Sequence, residues 1–195
     1  MRSSGAGAGR RLLPREERRA QILDAATRAF ARDGFVATSL DDVVAEAGVT
    51  KAIIYRHFES KGAMYKEALD AIRARIRDRV GPDEQLGPES VATVIEAAIA
   101  DPDGYRLLFE HARREPEFRS YSDELAWAAI NVAENRLREV IPDRPIRLWV
   151  ADMVVWLQIE MVLSWLRSDR PVPVEKLRSS IQAASQALVA SVRQA

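Results

Sequence analysis

The stretch that most constrains this chain is residues 34–61, GFVATSLDDVVAEAGVTKAIIYRHFESK, punctuated as two short helices around a tight turn. Thr38 or Ser39 caps the first, and Asp41 and Asp42 occupy its opening turn, where the helix dipole favours carboxylates. Gly48 ends it. Thr50 caps the second, which is expected over about Lys51 to Phe58. A helix of about two turns does not stand alone in water, so packing through Val49, Ile54 and Phe58 has to hold it. Leu40, Val43 and Val44 are spaced to face a core, while Ala45 and Ala47 admit close helix approach. Thr50, Lys51, Ala52, Tyr55, Arg56 and His57 then point outward. A short helix with such a face fits the major groove of B-DNA, about 12 Å wide, and its free N–H groups suit a phosphate.

The rest of the chain also reads as helix, with no sustained period-two alternation. A first helix is expected over about Arg15 to Asp33, with Ile22, Leu23, Ala26, Ala29 and Phe30 as its apolar stripe. Gly34 is its stop, and Phe35 folds back against it. Ser60 caps a fourth helix striped by Tyr65, Leu69, Ile72, Ile76 and Val80, which Gly81-Pro82 breaks. Further helices are expected over about 89–100, from Asp101-Pro102 to Arg114, and over 122–140, 146–167 and 174–192. The fold class is therefore all-α, with an N-terminal three-helix helix-turn-helix domain and a C-terminal helical domain. The expected division is a basic tail at 1–14, a DNA-binding domain at 15–66 and a ligand-binding and dimerisation domain at 67–195.

A net charge of zero hides an asymmetry, since residues 1–66 hold 12 Lys and Arg against 8 Asp and Glu, and the remainder 17 against 21. A basic front on an acidic body suits an end that faces phosphates. The absence of cysteine excludes disulfides and thiolate metal sites, and suits a reducing cytoplasm. The first fourteen residues lack the apolar core of a signal peptide. The greasiest stretch, Leu148 to Leu166, carries Asp152, Gln158 and Glu160, which hydrocarbon would penalise, so it reads as a buried helix. No His/Asp/Glu cluster has metal spacing and no nucleophile sits in a catalytic motif, so neither cofactor, metal nor enzyme is expected.

The register of the apolar first helix, Gly34-Phe35, Thr38-Ser39, Ala47-Gly48-Val49-Thr50, Tyr55, Phe58 and Lys61 closely resembles the tetracycline-repressor (TetR) family over about residues 15–66. The resemblance implies a dimeric DNA-binding regulator, usually a repressor that leaves a palindromic operator when a ligand enters its C-terminal domain. It also implies that Thr38, Thr50, Tyr55 and Lys61 meet phosphates. Ser39 joins this DNA-binding set, and Lys51, Ala52, Arg56 and His57 take positions that face base edges. Two departures stand out: Ile53, where the family often has Thr or Ser, and Gly62, where Glu is common.

Several residues keep two readings open. Tyr55 also suits packing between helices, and His57 also suits a solvated surface. Arg10, Arg11 and Arg15 suit either a minor-groove arm or a solvated tail. His111 reads as structural. Behind the head, Trp127, Trp149, Trp156 and Trp165 concentrate aromatic surface, and Tyr105, Phe109, Trp127, Met153, Trp156 and Glu160 are candidates to line an apolar ligand pocket. Glu160, expected to be buried, needs an arginine such as Arg136 or Arg167, or else a polar ligand. The apolar helix at 146–167, with the small-residue stripe of the last helix, suits a four-helix homodimer interface. The competing reading is a DNA-binding protein of the same fold controlled by a protein partner, with a filled core.

Overall fold

The computed structural model describes residues 14–80 and 90–193. The expected basic tail and the Gly81-Pro82 break lie outside the described residues, apart from Pro14. Every described element is helical: α1 (Arg15–Ala37), α2 (Leu40–Ala47), α3 (Lys51–His57), α4 (Lys61–Val80), α5 (Ser90–Ala100), α6 (Pro102–Arg106), α7 (Arg119–Arg136), α8 (Arg144–Arg167) and α9 (Val174–Arg193). After α6 the coil continues as a π-helical turn (Leu107–His111) and a 3-10 turn (Ala112–Arg114), where periodicity predicts one regular helix. The helix expected at 122–140 begins and ends earlier, with residues 137–140 forming turns instead. Asp143 caps α8 two residues before the expected start by accepting the Ile146 N–H at 2.9 Å.

The N-terminal punctuation is laid down as the sequence dictates. Ser39 accepts the Asp42 N–H at 3.2 Å and Asp42 returns a bond to the Ser39 N–H at 2.7 Å, a reciprocal capping box. Gly48 sits at φ 61°, ψ 34°, the left-handed stop of α2. Ser60 caps α4 through the Ala63 N–H at 3.0 Å. α1 departs from expectation: it does not stop at Gly34 but kinks there, at φ 79°, and resumes to Ala37.

That kink is where the two halves of the molecule meet. Gly34 is required twice, for its positive φ and because a Cβ would lie 2.9 Å from His111 Nδ1. Phe35, Tyr65 and Phe118 pack as a triangle with ring centroids 4.5–5.1 Å apart, and Phe30 meets Tyr65 edge-on at 4.8 Å. Glu115, between the 3-10 turn and α7, accepts the Phe35 N–H at 2.6 Å and the Tyr65 hydroxyl at 2.6 Å. His111 adds a contact from its Nε2 to the Ala31 carbonyl at 3.0 Å, the structural role expected of it. Burial, and then the Glu115 carboxylate, hold Tyr65 far above the ordinary phenol range, so it remains a donor.

A second buried ion pair braces the far end. Arg147 is 5 % exposed, pairs with Glu134 at 2.8 Å, and donates to the Ile141 and Pro142 carbonyls at 2.9 Å each. It ties the α7–α8 loop to both helices that flank it. Glu115→Ala leaves the Phe35 N–H and Tyr65 hydroxyl without their acceptor, so an unfolding free energy lower by about 2 kcal/mol is expected in urea titrations, with a smaller loss for Glu115→Gln.

Candidate nucleic-acid interface

α3 is anchored from below and open above. Ile54 and Phe58 are buried beneath it, with Val49 at its entry, as the apolar spacing predicts. Arg19 of α1 locks its C-terminal end: the guanidinium donates to the His57 carbonyl, pairs with Glu67 at 2.5 Å, and lies 4.4 Å from the centre of the Phe58 ring. Glu46 ties α2 to α1 through Arg28 at 2.7 Å and Arg32 at 2.6 Å, and these two bonds hold its carboxyl below the usual range. Sequence reasoning missed these clamps, because partners far apart in sequence leave no local signal.

The exposed surface carries Thr50, Lys51, Ala52, Tyr55 and Arg56, with Ser39 at the start of α2. Tyr55 is 57 % exposed, which removes the packing alternative in this chain. The Thr50 hydroxyl accepts the Ile53 N–H at 3.4 Å, and Lys51 reaches Asp41 at 2.8 Å across the turn. Ile53 is half-buried and leans on the core, which accounts for an apolar residue there.

Two expected members of this face point the other way. Thr38 is 1 % exposed, and its hydroxyl donates to the Gly34 carbonyl at 2.7 Å. Its side chain secures the kinked end of α1 and has no reach to a phosphate. Lys61 spends its ammonium on the Phe35 and Thr38 carbonyls, at 2.7 and 2.9 Å, above the Phe35 ring. It neutralises the C-terminal carbonyls of α1, an internal use of the charge assigned to phosphate. Ala45, expected to pack, is exposed.

A shape of this kind, a kinked α1 carrying a clamped short helix with an open polar face, is shared with known proteins. Residues 22–68 match the family described as bacterial regulatory proteins, tetR family. Residues 22–68 thus carry this family's DNA-binding domain. A 187-residue alignment covers 86% of the chain and 81% of the HTH-type transcriptional activator FasR of Mycolicibacterium smegmatis, at 29% identity. The HTH-type transcriptional regulator TtgR of Pseudomonas putida is 44% identical over 57 residues, 29% of this chain and 27% of that protein. Among solved structures, a TetR-like transcriptional regulator from Rhodococcus sp. RHA1 superposes with a TM-score of 0.73 at 18% identity, over 92% of this chain and 99% of that one. The chain is thus a DNA-binding transcriptional regulator rather than an enzyme.

The pocket candidates separate into two places. Tyr105 and Phe109 line an inner cavity of about 930 Å³ between α4, α5, α7 and α8, walled mainly by apolar side chains. Trp127, Trp156 and Glu160 instead border an outer cleft of about 520 Å³ rich in Arg, Asp and Glu, which Phe109 also touches. Trp127 is 57 % exposed, and Trp156 lies beneath Arg113, 3.6 Å from its guanidinium. Met153 lines neither and faces outward. Glu160 is exposed rather than buried, and its partner is Arg167, one of the two arginines expected. The apolar periodicity of α8 identified greasy faces but not what lies against each. Among the described residues, no helix is long and apolar enough to cross a membrane and no group of acidic or histidine side chains has metal geometry.

His57 supplies a pH signature for this face. Its Nδ1 is buried without a hydrogen-bond partner among the described residues, and burial, then Arg15, Arg19, Arg56 and Arg18, lower its pKa below 6.5. A base whose folded pKa is depressed binds fewer protons folded than unfolded, so stability is full above pH 6.5 and falls as pH drops below it. His57→Gln is expected to flatten that acid limb in melting curves taken between pH 7.5 and 5.

Proposed function

We propose that the chain is a ligand-responsive repressor that holds a palindromic operator as a homodimer and releases it when a small apolar molecule enters the inner cavity. Residues 15–66 form the reading head and 67–195 the sensing and pairing body, with α4 shared by both. The observation that carries the reading is a rigidly clamped, outward-facing α3 on the same molecule as a large apolar cavity. Thr50, Tyr55 and Ser39 meet phosphates, and Lys51, Ala52, Arg56 and the half-buried His57 face bases. Among the relatives, FasR is named an activator and Rv3405c of Mycobacterium tuberculosis a repressor, so operator position relative to the promoter is the check on repression. The cavity weighs against control by a protein partner on a filled core.

Phosphate contacts position and base contacts specify, which separates two variants. Tyr55→Phe is expected to weaken binding to all DNA alike, by about one hydrogen bond, near 1 kcal/mol. Arg56→Ala is expected to lose about 1–3 kcal/mol of discrimination at one base pair while random DNA is held as before. Operators selected from random fragments, followed by binding titrations at fixed salt, give both numbers; equal losses on specific and random DNA for both variants refute the assignment.

A stripe on α8 supports the homodimer. Ile146, Trp149 and Met153 are 42 %, 55 % and 38 % exposed in the single chain and lie at three-and-four spacing, with Ala183, Ala187 and Ala190 exposed on α9. Leu188, by contrast, packs partly against Val150 and Val154 of its own chain. Because Trp149 and Met153 are exposed, Trp149→Asp and Met153→Asp should fold normally and sediment as monomers, where the native chain sediments as a dimer with heads about 34–36 Å apart.

A further inference from the structure

α2 and α3 carry three acidic side chains between them, and two of these have structural partners. Asp42 closes the capping box with Ser39, and Glu46 ties α2 back to Arg28 and Arg32 of α1. Asp41 does neither. Its side chain is 70 % exposed, and its carboxylate takes the Lys51 ammonium at 2.8 Å across the turn. The helix dipole favours a carboxylate in the first turn of α2, but Asp42 already supplies one there. It does not account for a negative charge held against a side chain of the DNA-reading surface. Facing a polyanion, such a charge weakens binding to every sequence unless it discriminates between them.

Resting on the assignment of Lys51 to base edges, we propose that Asp41 sets specificity by acting through Lys51: it holds the ammonium off phosphates and leaves it to a guanine. An ammonium has three donors, and the Asp41 carboxylate takes one of them. Two remain, the number that the acceptors O6 and N7 of guanine require. A phosphate oxygen approaching the same ammonium would also meet the carboxylate, and like charges at that separation repel. The guanine edge carries partial charges only, and the N4 amino group of its paired cytosine offers the carboxylate a donor. A G·C pair is therefore admitted where phosphate is rejected. Both side chains are well exposed, Lys51 at 52 % and Asp41 at 70 %, so the ion pair is weak and can reorient on DNA. Neither residue belongs to the buried core that holds α3 in place.

The test compares the full-length native protein with Asp41→Asn, Lys51→Met and the double variant. Binding is titrated over a series of salt concentrations on an operator selected from random fragments and on random DNA. The operator is also tested with each G·C pair changed in turn to A·T. All four proteins are expected to melt together, because both side chains are exposed. The native protein should lose about tenfold in affinity at one G·C pair, and K51M should lose that discrimination. K51M should hold random DNA with the native salt slope, since Lys51 touches no phosphate. D41N frees the ammonium, so random DNA should bind about threefold more tightly, with a salt slope steeper by about 0.9, one phosphate's worth. Its G·C discrimination should shrink, and the double variant should match K51M. A salt slope on random DNA that K51M makes shallower by about 0.9 places Lys51 on phosphate and overturns the proposal. So does a gain from D41N that is as large in the K51M background, the mark of bulk charge, or one that leaves the G·C discrimination intact. Discrimination at every G·C pair that survives K51M overturns instead the base-edge assignment of Lys51 on which the proposal rests.

Discussion

One carboxylate, Glu115, joins the two halves of this molecule. It accepts from the backbone of Phe35, beside the α1 kink, and from the hydroxyl of Tyr65 on α4, both at 2.6 Å. The aromatic triangle of Phe35, Tyr65 and Phe118 closes over that joint. Without the kink at Gly34 the Phe35 N–H would continue a helical ladder and be unavailable. Without the close approach that Gly34 permits, His111 would collide with α1. Backbone conformation, aromatic packing and a charge-assisted hydrogen bond therefore depend on one another at a single point, and the orientation of the reading head follows from them.

Whatever in this fold is decided within a few residues was legible in the sequence. The caps at Ser39, Thr50 and Ser60, the glycine at 48 and the apolar stripe of α1 each follow from local backbone chemistry, and each is found in place. Features set by partners distant in sequence were not. Thr38 and Lys61 fall in a register where polar residues reach outward, yet both turn inward to the carbonyls that the α1 kink leaves exposed. A pattern can show that such a residue is polar and near the surface; it does not show a bent helix end lying within its reach.

The C-terminal half shows the same boundary. Periodicity marks α8 as apolar on most sides, and that is correct, but burial is distributed unevenly around it. Val150, Val154 and Val155 face inward, while Trp149 and Met153 face out. Aromatic size suggested that Trp127 and Trp156 line an apolar pocket, whereas they border the charged outer cleft and the inner cavity is walled mainly by Ala, Val, Leu and Ile. Large rings fill space, and small and branched side chains leave it. Glu160 illustrates the converse: a carboxylate on a greasy helix is no anomaly where that side of the helix is wet and Arg167 lies two turns along.

Cavity and reading head share one short piece of chain. Tyr105 and Phe109 line the cavity, and within the same irregular coil His111 and Glu115 grip α1 and α4. The π-helical turn at Leu107–His111 carries both Phe109 and His111, a departure from regular α-helix of a kind frequent at functional sites. On the proposed reading, a molecule wedged against Phe109 does mechanical work on a segment whose other end fixes the head. Packed interiors respond to such displacement by stepping between discrete arrangements rather than by deforming smoothly. On that same reading DNA and ligand bias one joint in opposite senses, with a coupling that is reciprocal by thermodynamic necessity.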